Sequence, residues 1–218
     1  MRFKCLVLDH DETVVQSEVS VGYPFFCKHL SVIRPGVTVD VEEYITDCHT
    51  IGFLEMCVEK FHFTPQELDE EHALWMEHIR TNIPDPFPGI GKIIHRQKAS
   101  GGLVCVVSHS SIENISRDYM THFGMLPDAI YGWDLPKHQR KPNTFPLLSI
   151  MEKYNLKPKD ILVVDDSKLA WEMAAPLGVK TAFAAWGKKD FPALSQEMKK
   201  ICSYTFNSTK ELEKFLFD

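Results

Sequence analysis

The stretch Phe3–Thr13, FKCLVLDHDET, decides the fold of this chain. Its first half, Phe3–Leu8, is continuously apolar, as expected for a strand buried on both faces of a parallel sheet. Asp9 and Asp11 follow two positions apart, so their side chains leave the strand on the same side. Two carboxylates this close repel each other unless a divalent cation or a proton offsets their charge. The motif alone also fits an ordinary polar turn after a buried strand. Only the rest of the chain can show whether Asp9 and Asp11 form a cation site or such a turn.

Further apolar runs predict the other strands of a sheet. They are Leu103–Val107, Ala129–Tyr131, Ile161–Val164, Lys180–Ala184 and a weaker run, Ser203–Phe206. Helical segments with capping signals lie between them; one is Ile112–Phe123, for which Ser110 and Glu113 predict a capping box and Gly124 a stop. Strands that alternate with helices predict an α/β fold with a Rossmann-like open parallel sheet. Such sheets bind ligands at the carboxyl ends of their strands.

The segment 14–86 breaks this alternation because it contains no convincing strand pattern. It predicts several helices, of which Pro65 to about Thr81 is the clearest, with Thr64 as N-cap and Glu67 completing a capping box. We therefore expect a core domain formed by residues 1–13 and 87–218 and an inserted helical cap domain formed by residues 14–86. A cap at this point of the chain would act as a lid over the strand ends.

Three other strand ends or loops carry chemically useful groups. Ser108 opens a polar turn before a helix, where a hydroxyl and free backbone N–H groups can bind an anion, although taken alone an ordinary N-cap is the better explanation. Lys141 precedes Pro142 in a polar loop, where a solvated lysine is the ordinary interpretation. Asp165 and Asp166 end the run Ile161–Val164 and can form the far wall of a cation site. The four features occur in a fixed order, each at the end of its element, and chance does not readily explain that.

In this order the motifs resemble those of the haloacid dehalogenase superfamily, in its phosphatase and β-phosphoglucomutase-like branch with a helical cap. Asp9–Thr13 matches the first motif, Ser108 the second, Lys141 the third, and Asp165 with Asp166 the fourth. The resemblance covers nearly the whole chain. It implies an enzyme that hydrolyses phosphate monoesters through an aspartyl-phosphate.

The resemblance also implies roles for these residues. Asp9 is expected to be the nucleophile, and Asp11 the general acid for the leaving oxygen and then the base for water. Ser108 is expected to bind a phosphoryl oxygen and Lys141 to neutralise the transferring group. The expected cofactor is Mg²⁺.

The Mg²⁺ ligands that the resemblance implies are the Asp9 carboxylate, the Asp11 backbone carbonyl and Asp166. Asp165 is expected to accept hydrogen bonds behind them rather than to bind the metal.

Substrate contacts are less defined by the sequence. His109 is a candidate contact beside Ser108. The region around His49, Thr50 and Phe53 is the candidate substrate-facing loop of the cap. Glu12 departs from the family, which usually has Gly at this position.

Other functions remain open at this point. A β-phosphoglucomutase-like phosphotransferase would need cap residues for a second phosphate, for which Arg34 and Lys60 are candidates. A receiver-like phospho-accepting module, or a ligand-binding relative without turnover, is the alternative from a different class. Receivers place adjacent acids after the first strand and lack a helical insertion, so the spacing of Asp9 and Asp11 favours an enzyme.

Composition limits the partners. The 218-residue chain has a formal net charge of −6 and no long basic run, which argues against nucleic acid. The pairs Lys188-Lys189 and Lys199-Lys200 fit solvated surface. Six cysteines without a CxxC pair are expected to be reduced, and no signal or membrane segment is expected, which indicates the cytoplasm. We expect a small phosphorylated metabolite as partner and a monomer or weak homodimer.

Overall fold

The computed structural model describes residues 1–188 and 191–218. They divide into two compact units, one formed by Met1–Val15 with Pro86–Asp218, and the other by Gln16–Asp85. The first unit contains an open parallel sheet flanked by helices, which confirms the predicted α/β Rossmann-like fold. Among the described residues, none of the helices combines the length and apolar character needed to cross a bilayer.

The sheet has the strand order β3-β2-β1-β4-β5-β6, and all its pairs are parallel. Its strands are β1 Cys5–Leu8, β2 Leu103–Val107, β3 Ala129–Tyr131, β4 Ile161–Asp165, β5 Lys180–Ala184 and β6 Tyr204–Phe206. β1 lies between β2 and β4, and Leu8 is in register with Val106 on one side and Val164 on the other. The carboxyl ends of the three central strands therefore lie side by side.

Alternate residues of the central strands pack on opposite faces of the sheet. Leu6 and Leu8 join a core with Tyr119, whereas Cys5 and Val7 join a second core with Met173. Burial on both faces explains why the strands are continuously apolar in sequence. The helices of this unit are α5 Ile90–Ala99, α6 Ile112–Phe123, α7 Phe145–Lys153, α8 Lys168–Ala174, α9 Pro192–Ile201 and α10 Thr209–Phe217.

The second unit is helical. It contains α1 Tyr23–Ile33, α2 Val41–Thr50, α3 Phe53–Glu55 and α4 Pro65–Thr81, with single π-helical turns at Glu18–Gly22 and Met56–Lys60. Thr64 and Glu67 form the predicted capping box of α4. Its core is aromatic, with the buried Phe26 ring 5.1 Å from Tyr44 and 5.4 Å from Phe61, centroid to centroid. A role for this unit as a cap stays a prediction.

The chain leaves and re-enters the sheet unit through two paired segments. Val15 and Pro86 form an antiparallel bridge. Beside them, the Phe87 N–H donates to the Val14 carbonyl oxygen at 2.9 Å, and the Gln16 N–H donates to that of Asp85 at 2.9 Å. The two ends of the insertion are thus fixed next to each other.

Candidate active site

Asp9 lies at the centre of the candidate site because β1 lies between β2 and β4. Its backbone N–H donates to the Val164 carbonyl oxygen at 2.9 Å, which continues the β1–β4 pairing by one residue. The Asp9 side chain is buried, and so are Lys141, Asp165 and Asp166. The strand order thus brings residues together that are far apart in sequence.

Lys141 is the charged partner of Asp9. Its Nζ atom lies 3.0 Å from Asp9 Oδ1 and 2.9 Å from Asp165 Oδ2. Burial opposes the charge of the ammonium group, but the attraction of Asp165 and Asp9 outweighs it and raises the pKa of Lys141. The ordinary interpretation of a solvated lysine is therefore wrong for this position.

The two acids that follow β4 have different surroundings. Asp165 Oδ1 accepts hydrogen bonds from the Ser167 backbone N–H and hydroxyl, both at 2.8 Å, and Oδ2 accepts from Lys141. Asp166 Oδ2 lies 2.9 Å from the Nζ atom of Lys188. Both oxygens of Asp165 are therefore engaged with the protein.

The donor set suits a hard divalent cation. One carboxylate oxygen from each of Asp9, Asp165 and Asp166 lies within 4.8 Å of the others, so this cluster could hold a metal ion. Burial, followed by repulsion from Asp165, raises the pKa of Asp9 well above its ordinary value, which shows how strongly this pocket disfavours uncompensated carboxylates. Because Asp165 already accepts three hydrogen bonds, Asp9 and Asp166 are the better candidates for direct ligands.

Two serines hold the Asp11 side chain. The Ser110 hydroxyl donates to Asp11 Oδ2 at 2.6 Å, and the Ser108 hydroxyl lies at 3.4 Å from the same oxygen. The predicted capping box with Ser110 is wrong, since Ser111 is the N-cap of α6 and accepts from the Asn114 N–H at 3.2 Å. Ser110 is thus free of capping and donates to Asp11, a site role that its sequence pattern, which predicted only a helix cap, did not indicate.

His109 supports the lysine loop. Its Nε2 atom lies 2.9 Å from the Lys141 carbonyl oxygen, and its ring meets Trp133 edge-on at 6.0 Å. Burial, followed by repulsion from Lys141, lowers the pKa of His109 and favours the neutral ring. A direct substrate contact by His109 stays a prediction, whereas its observed contact positions the loop that carries Lys141.

His10, between the two acids of the first motif, faces the opposite side of the sheet. Its Nε2 atom lies 3.0 Å from Asp118 Oδ2 on α6, and both side chains are almost fully buried. The ring also stacks on Tyr119 at 6.1 Å. These contacts fix the first-motif turn to α6.

The candidate cap residues lie in the helical unit. His49 and Thr50 form the last turn of α2, so the expected loop begins only after them. His49 Nε2 lies 2.9 Å from Glu18 Oε1, and the Thr50 hydroxyl donates to the Thr46 carbonyl oxygen at 2.7 Å. Their contact with substrate stays a prediction.

The two basic candidates for a second phosphate are engaged within the same helical unit. Arg34 donates to both carboxylate oxygens of Glu67, at 2.7 and 2.9 Å. Lys60 pairs with Glu43 and Asp47. A second phosphate would therefore have to displace existing partners of either side chain.

The short 3₁₀ segment Ala185–Lys188 after β5 forms another wall of the site. Trp186 Nε1 donates to the Thr13 carbonyl oxygen at 3.1 Å, and a Cβ atom placed on Gly187 would lie 2.0 Å from the Glu12 carbonyl oxygen. Lys188 is buried, so its expected place on the solvated surface is wrong; Lys189 lies outside the described residues. The sequence signal for Lys188 was its place just beyond the carboxyl end of a predicted strand.

Glu12 adopts a positive φ of 52° in the first-motif turn. Residues other than Gly seldom adopt this left-handed conformation, which agrees with the Gly that the resembled family usually has here.

All six cysteines lie in the described part of the chain and are free thiols, as expected.

Comparisons with known proteins identify the family of this chain. Residues 9–184 match the family described as haloacid dehalogenase-like hydrolase. A phosphoglycolate phosphatase from Aquifex aeolicus is 27% identical over 195 residues, which cover 84% of this chain and 85% of that protein.

Solved structures share the fold. A haloacid dehalogenase-like protein of unknown function from Agrobacterium tumefaciens superposes with a TM-score of 0.81 at 17% identity, covering 98% of this chain and 97% of that one. A mutant of CbbY from Rhodobacter sphaeroides, in complex with xylulose-(1,5)bisphosphate, superposes with a TM-score of 0.71 at 16% identity and 96% coverage of both chains.

Proposed function

Because this chain belongs to the haloacid dehalogenase-like hydrolase family, we propose that it is a Mg²⁺-dependent phosphatase that hydrolyses a small organic phosphate monoester through an aspartyl-phosphate at Asp9. The observation that carries the proposal is the buried pair of Asp9 and Lys141, 3.0 Å apart, beside Asp166. A nucleophile, a fixed positive charge and a cation site in one pocket are the parts that phosphoryl transfer requires.

Asp9 attacks the phosphorus atom of the bound monoester. The bond between phosphorus and the leaving oxygen breaks as the bond to Asp9 forms, and Asp11 donates a proton to that oxygen. Asp11 then takes a proton from water, which attacks the aspartyl-phosphate, releases inorganic phosphate and restores Asp9. Lys141 stabilises the negative charge on the phosphoryl oxygens throughout.

Ser108 and Ser110 have different roles in this proposal. Ser108 binds a phosphoryl oxygen at the N-terminal side of α6, where backbone N–H groups also favour an anion. Ser110 holds the Asp11 carboxyl group through the 2.6 Å hydrogen bond. This division keeps the proton carrier aligned with the leaving oxygen.

Mg²⁺ is proposed to bind Asp9, Asp166 and the Asp11 backbone carbonyl, with Asp165 holding Lys141 and Ser167 behind them. When bound, the cation offsets the repulsion between the Asp9 carboxylate and the substrate phosphate. Burial raises the pKa of Asp9, whereas a nucleophile has to be ionised, so the proposed cation would favour the ionised form of Asp9.

The helical unit is proposed as the cap that selects the substrate, with His49 and Thr50 as candidate contacts. The Aquifex relative makes 2-phosphoglycolate the first substrate to test. Phosphoryl transfer to a second substrate hydroxyl, as in a mutase, is the alternative, and it would appear as turnover without release of inorganic phosphate.

A hydrolysis assay on the purified protein tests the proposal. We expect p-nitrophenyl phosphate and at least one small monoester, from a panel with 2-phosphoglycolate and sugar phosphates, to be hydrolysed with Mg²⁺ and not with a chelator. Asp9→Asn is expected to reduce kcat by at least about 10³-fold, because the nucleophile is lost, while the thermal melt stays cooperative.

The matched control is Asp218→Asn, which removes an exposed aspartate at the last residue and is expected to retain full activity. If Asp9→Asn hydrolysed substrate at the rate of the unmodified protein, Asp9 would not be the nucleophile. Equal activity with and without chelator would refute the metal requirement.

A further inference from the structure

Lys188 is a second buried lysine at the candidate site, and the proposed reaction does not use it. The residue is 1% exposed, and its Nζ atom lies 2.9 Å from Asp166 Oδ2. A lysine is seldom buried this deeply without a paired anion, because its charge loses hydration. The pairing with Asp166 is therefore a reason for the position of the Lys188 side chain.

The backbone around Lys188 is held in place from both sides. Its carbonyl oxygen accepts a hydrogen bond from the Phe191 N–H at 3.0 Å. The preceding Gly187 fits against the Glu12 carbonyl oxygen with no room for a Cβ atom, and Trp186 donates to Thr13. Lys188 thus extends from a fixed segment that contacts the first-motif turn, and its ammonium group is directed at Asp166.

The negative charge of Asp166 therefore faces two possible cations. Asp166 is a candidate metal ligand with Asp9, and it is also an anion that pairs with Lys188. An ammonium group and a divalent cation close together repel each other, and a low-dielectric pocket strengthens that repulsion. The charge of Lys188 must therefore weaken the binding of a cation at Asp166.

We propose that Lys188 is a built-in counter-cation that stabilises Asp166 in the metal-free protein and sets a low affinity for the divalent cation. This inference rests on the proposed function, since it uses the metal site at Asp9 and Asp166. Lys188 thus has a different role from Lys141. The ammonium group of Lys141 contacts Asp9 and Asp165 and is proposed to stabilise the phosphoryl oxygens.

The test measures metal binding without turnover. Metal-free protein is titrated with Mn²⁺ and followed by electron paramagnetic resonance, and the thermal midpoint is measured over a Mg²⁺ series. Lys188→Met is expected to bind Mn²⁺ at least about tenfold more tightly than the unmodified protein, because the repulsive charge is gone. Without metal, Lys188→Met is expected to have a lower thermal midpoint than the unmodified protein, because Asp166 loses its positively charged partner. Added Mg²⁺ is expected to reduce this difference in thermal midpoint.

Lys188→Gln is the second variant, because it is neutral and can still donate a hydrogen bond to Asp166 if the methionine variant does not fold. Lys180→Met is the matched control: it removes one positive charge from the exposed first residue of β5 and is expected to leave the Mn²⁺ affinity unchanged.

Two outcomes separate this inference from the proposed function. Unchanged or weaker Mn²⁺ binding in the Lys188 variants, with normal binding by the unmodified protein, would overturn the role of Lys188 alone. An unmodified protein that binds no Mn²⁺, or an Asp166→Asn variant that binds it equally well, would overturn the metal site and this inference together.

Discussion

At the scale of single residues, the geometry around Asp11 depends on a hydroxyl that is not part of the four motifs. Ser110 and Ser108 both face Asp11 Oδ2, at 2.6 and 3.4 Å. A hydrogen bond to a charged group contributes about 1.5–3 kcal/mol. The shorter contact makes Ser110 the stronger determinant of where the Asp11 carboxyl group lies.

Replacing Ser110 by Ala is expected to lower kcat by about 10- to 100-fold and to leave KM nearly unchanged, because the carboxyl group is misplaced during proton transfer while phosphate binding is intact. Steady-state kinetics with p-nitrophenyl phosphate measure both constants. Ser110→Thr keeps the hydroxyl and is expected to restore most of kcat.

The matched control is the neighbouring N-cap residue. Ser111→Ala is expected to lower the free energy of unfolding by about 1 kcal/mol with little change in kcat. Equal effects of the two alanine variants on kcat would mean that Ser110 acts through the stability of α6 rather than through Asp11.

Sequence patterns locate site residues only where those residues belong to a recognisable motif. Asp9, Lys141 and Asp165 could be named because each occupies a motif position, and the structure brings these three together. Ser110 could not be assigned, because a run of adjacent serines before a helix leaves the choice of N-cap open. Lys188 could not be assigned, because an adjacent pair of lysines has the composition of exposed surface and only the folded chain brings Lys188 next to Asp166.

At the scale of elements, the segment Ala185–Lys188 connects the end of β5 to the first-motif turn. Gly187 allows the two backbones to touch, because a Cβ atom at this position would lie only 2.0 Å from the Glu12 carbonyl oxygen. The Glu12 residue is itself in a left-handed conformation, so the turn has little freedom to adjust.

Gly187→Ala is therefore expected to lower both the thermal midpoint and kcat. The added methyl group has to displace backbone, with a loss of about 1–3 kcal/mol in the free energy of unfolding. Gly22→Ala is the control, since a Cβ there would have its nearest neighbours at 3.6 Å. Normal melting and normal kcat for Gly187→Ala would contradict the close approach.

Element boundaries followed from sequence wherever local chemistry determines them. The strands β2, β3 and β5 have their predicted bounds, and so does α6 with its glycine C-cap. The bounds within the helical unit were harder to predict, because the short α3, Phe53–Glu55, continues directly into the π-helical turn Met56–Lys60. Such π-helical turns are rare, and hydrophobic periodicity does not encode them.

At the scale of the whole molecule, the helical unit carries a buried acid that makes stability depend on pH. Glu71 lies on α4 with 6% of its surface exposed, and burial raises its pKa to about 7 from the ordinary 4.5. An acid with a raised pKa in the folded state stabilises the fold fully below the ordinary pKa. This contribution is lost as the pH rises through about 7.

We expect the free energy of unfolding to fall by up to about 3 kcal/mol from this group between pH 4.5 and pH 8. Glu71→Gln is expected to remove that part of the pH dependence, as measured by urea denaturation at a series of pH values. The exposed neighbour Glu77 provides the control, because Glu77→Gln is expected to leave the slope unchanged. If Glu71→Gln did not alter the pH dependence of the free energy of unfolding, the Glu71 carboxyl group would not be the buried acid that causes it.

The paired connection at Val15 and Pro86 has a consequence for how such a molecule diversifies. All of the insertion lies between two neighbouring points of the chain, and every strand end that carries a candidate catalytic group lies outside it. One recombination event can thus exchange the helices as a cassette, and new specificities can arise while the sheet and its strand ends stay unchanged.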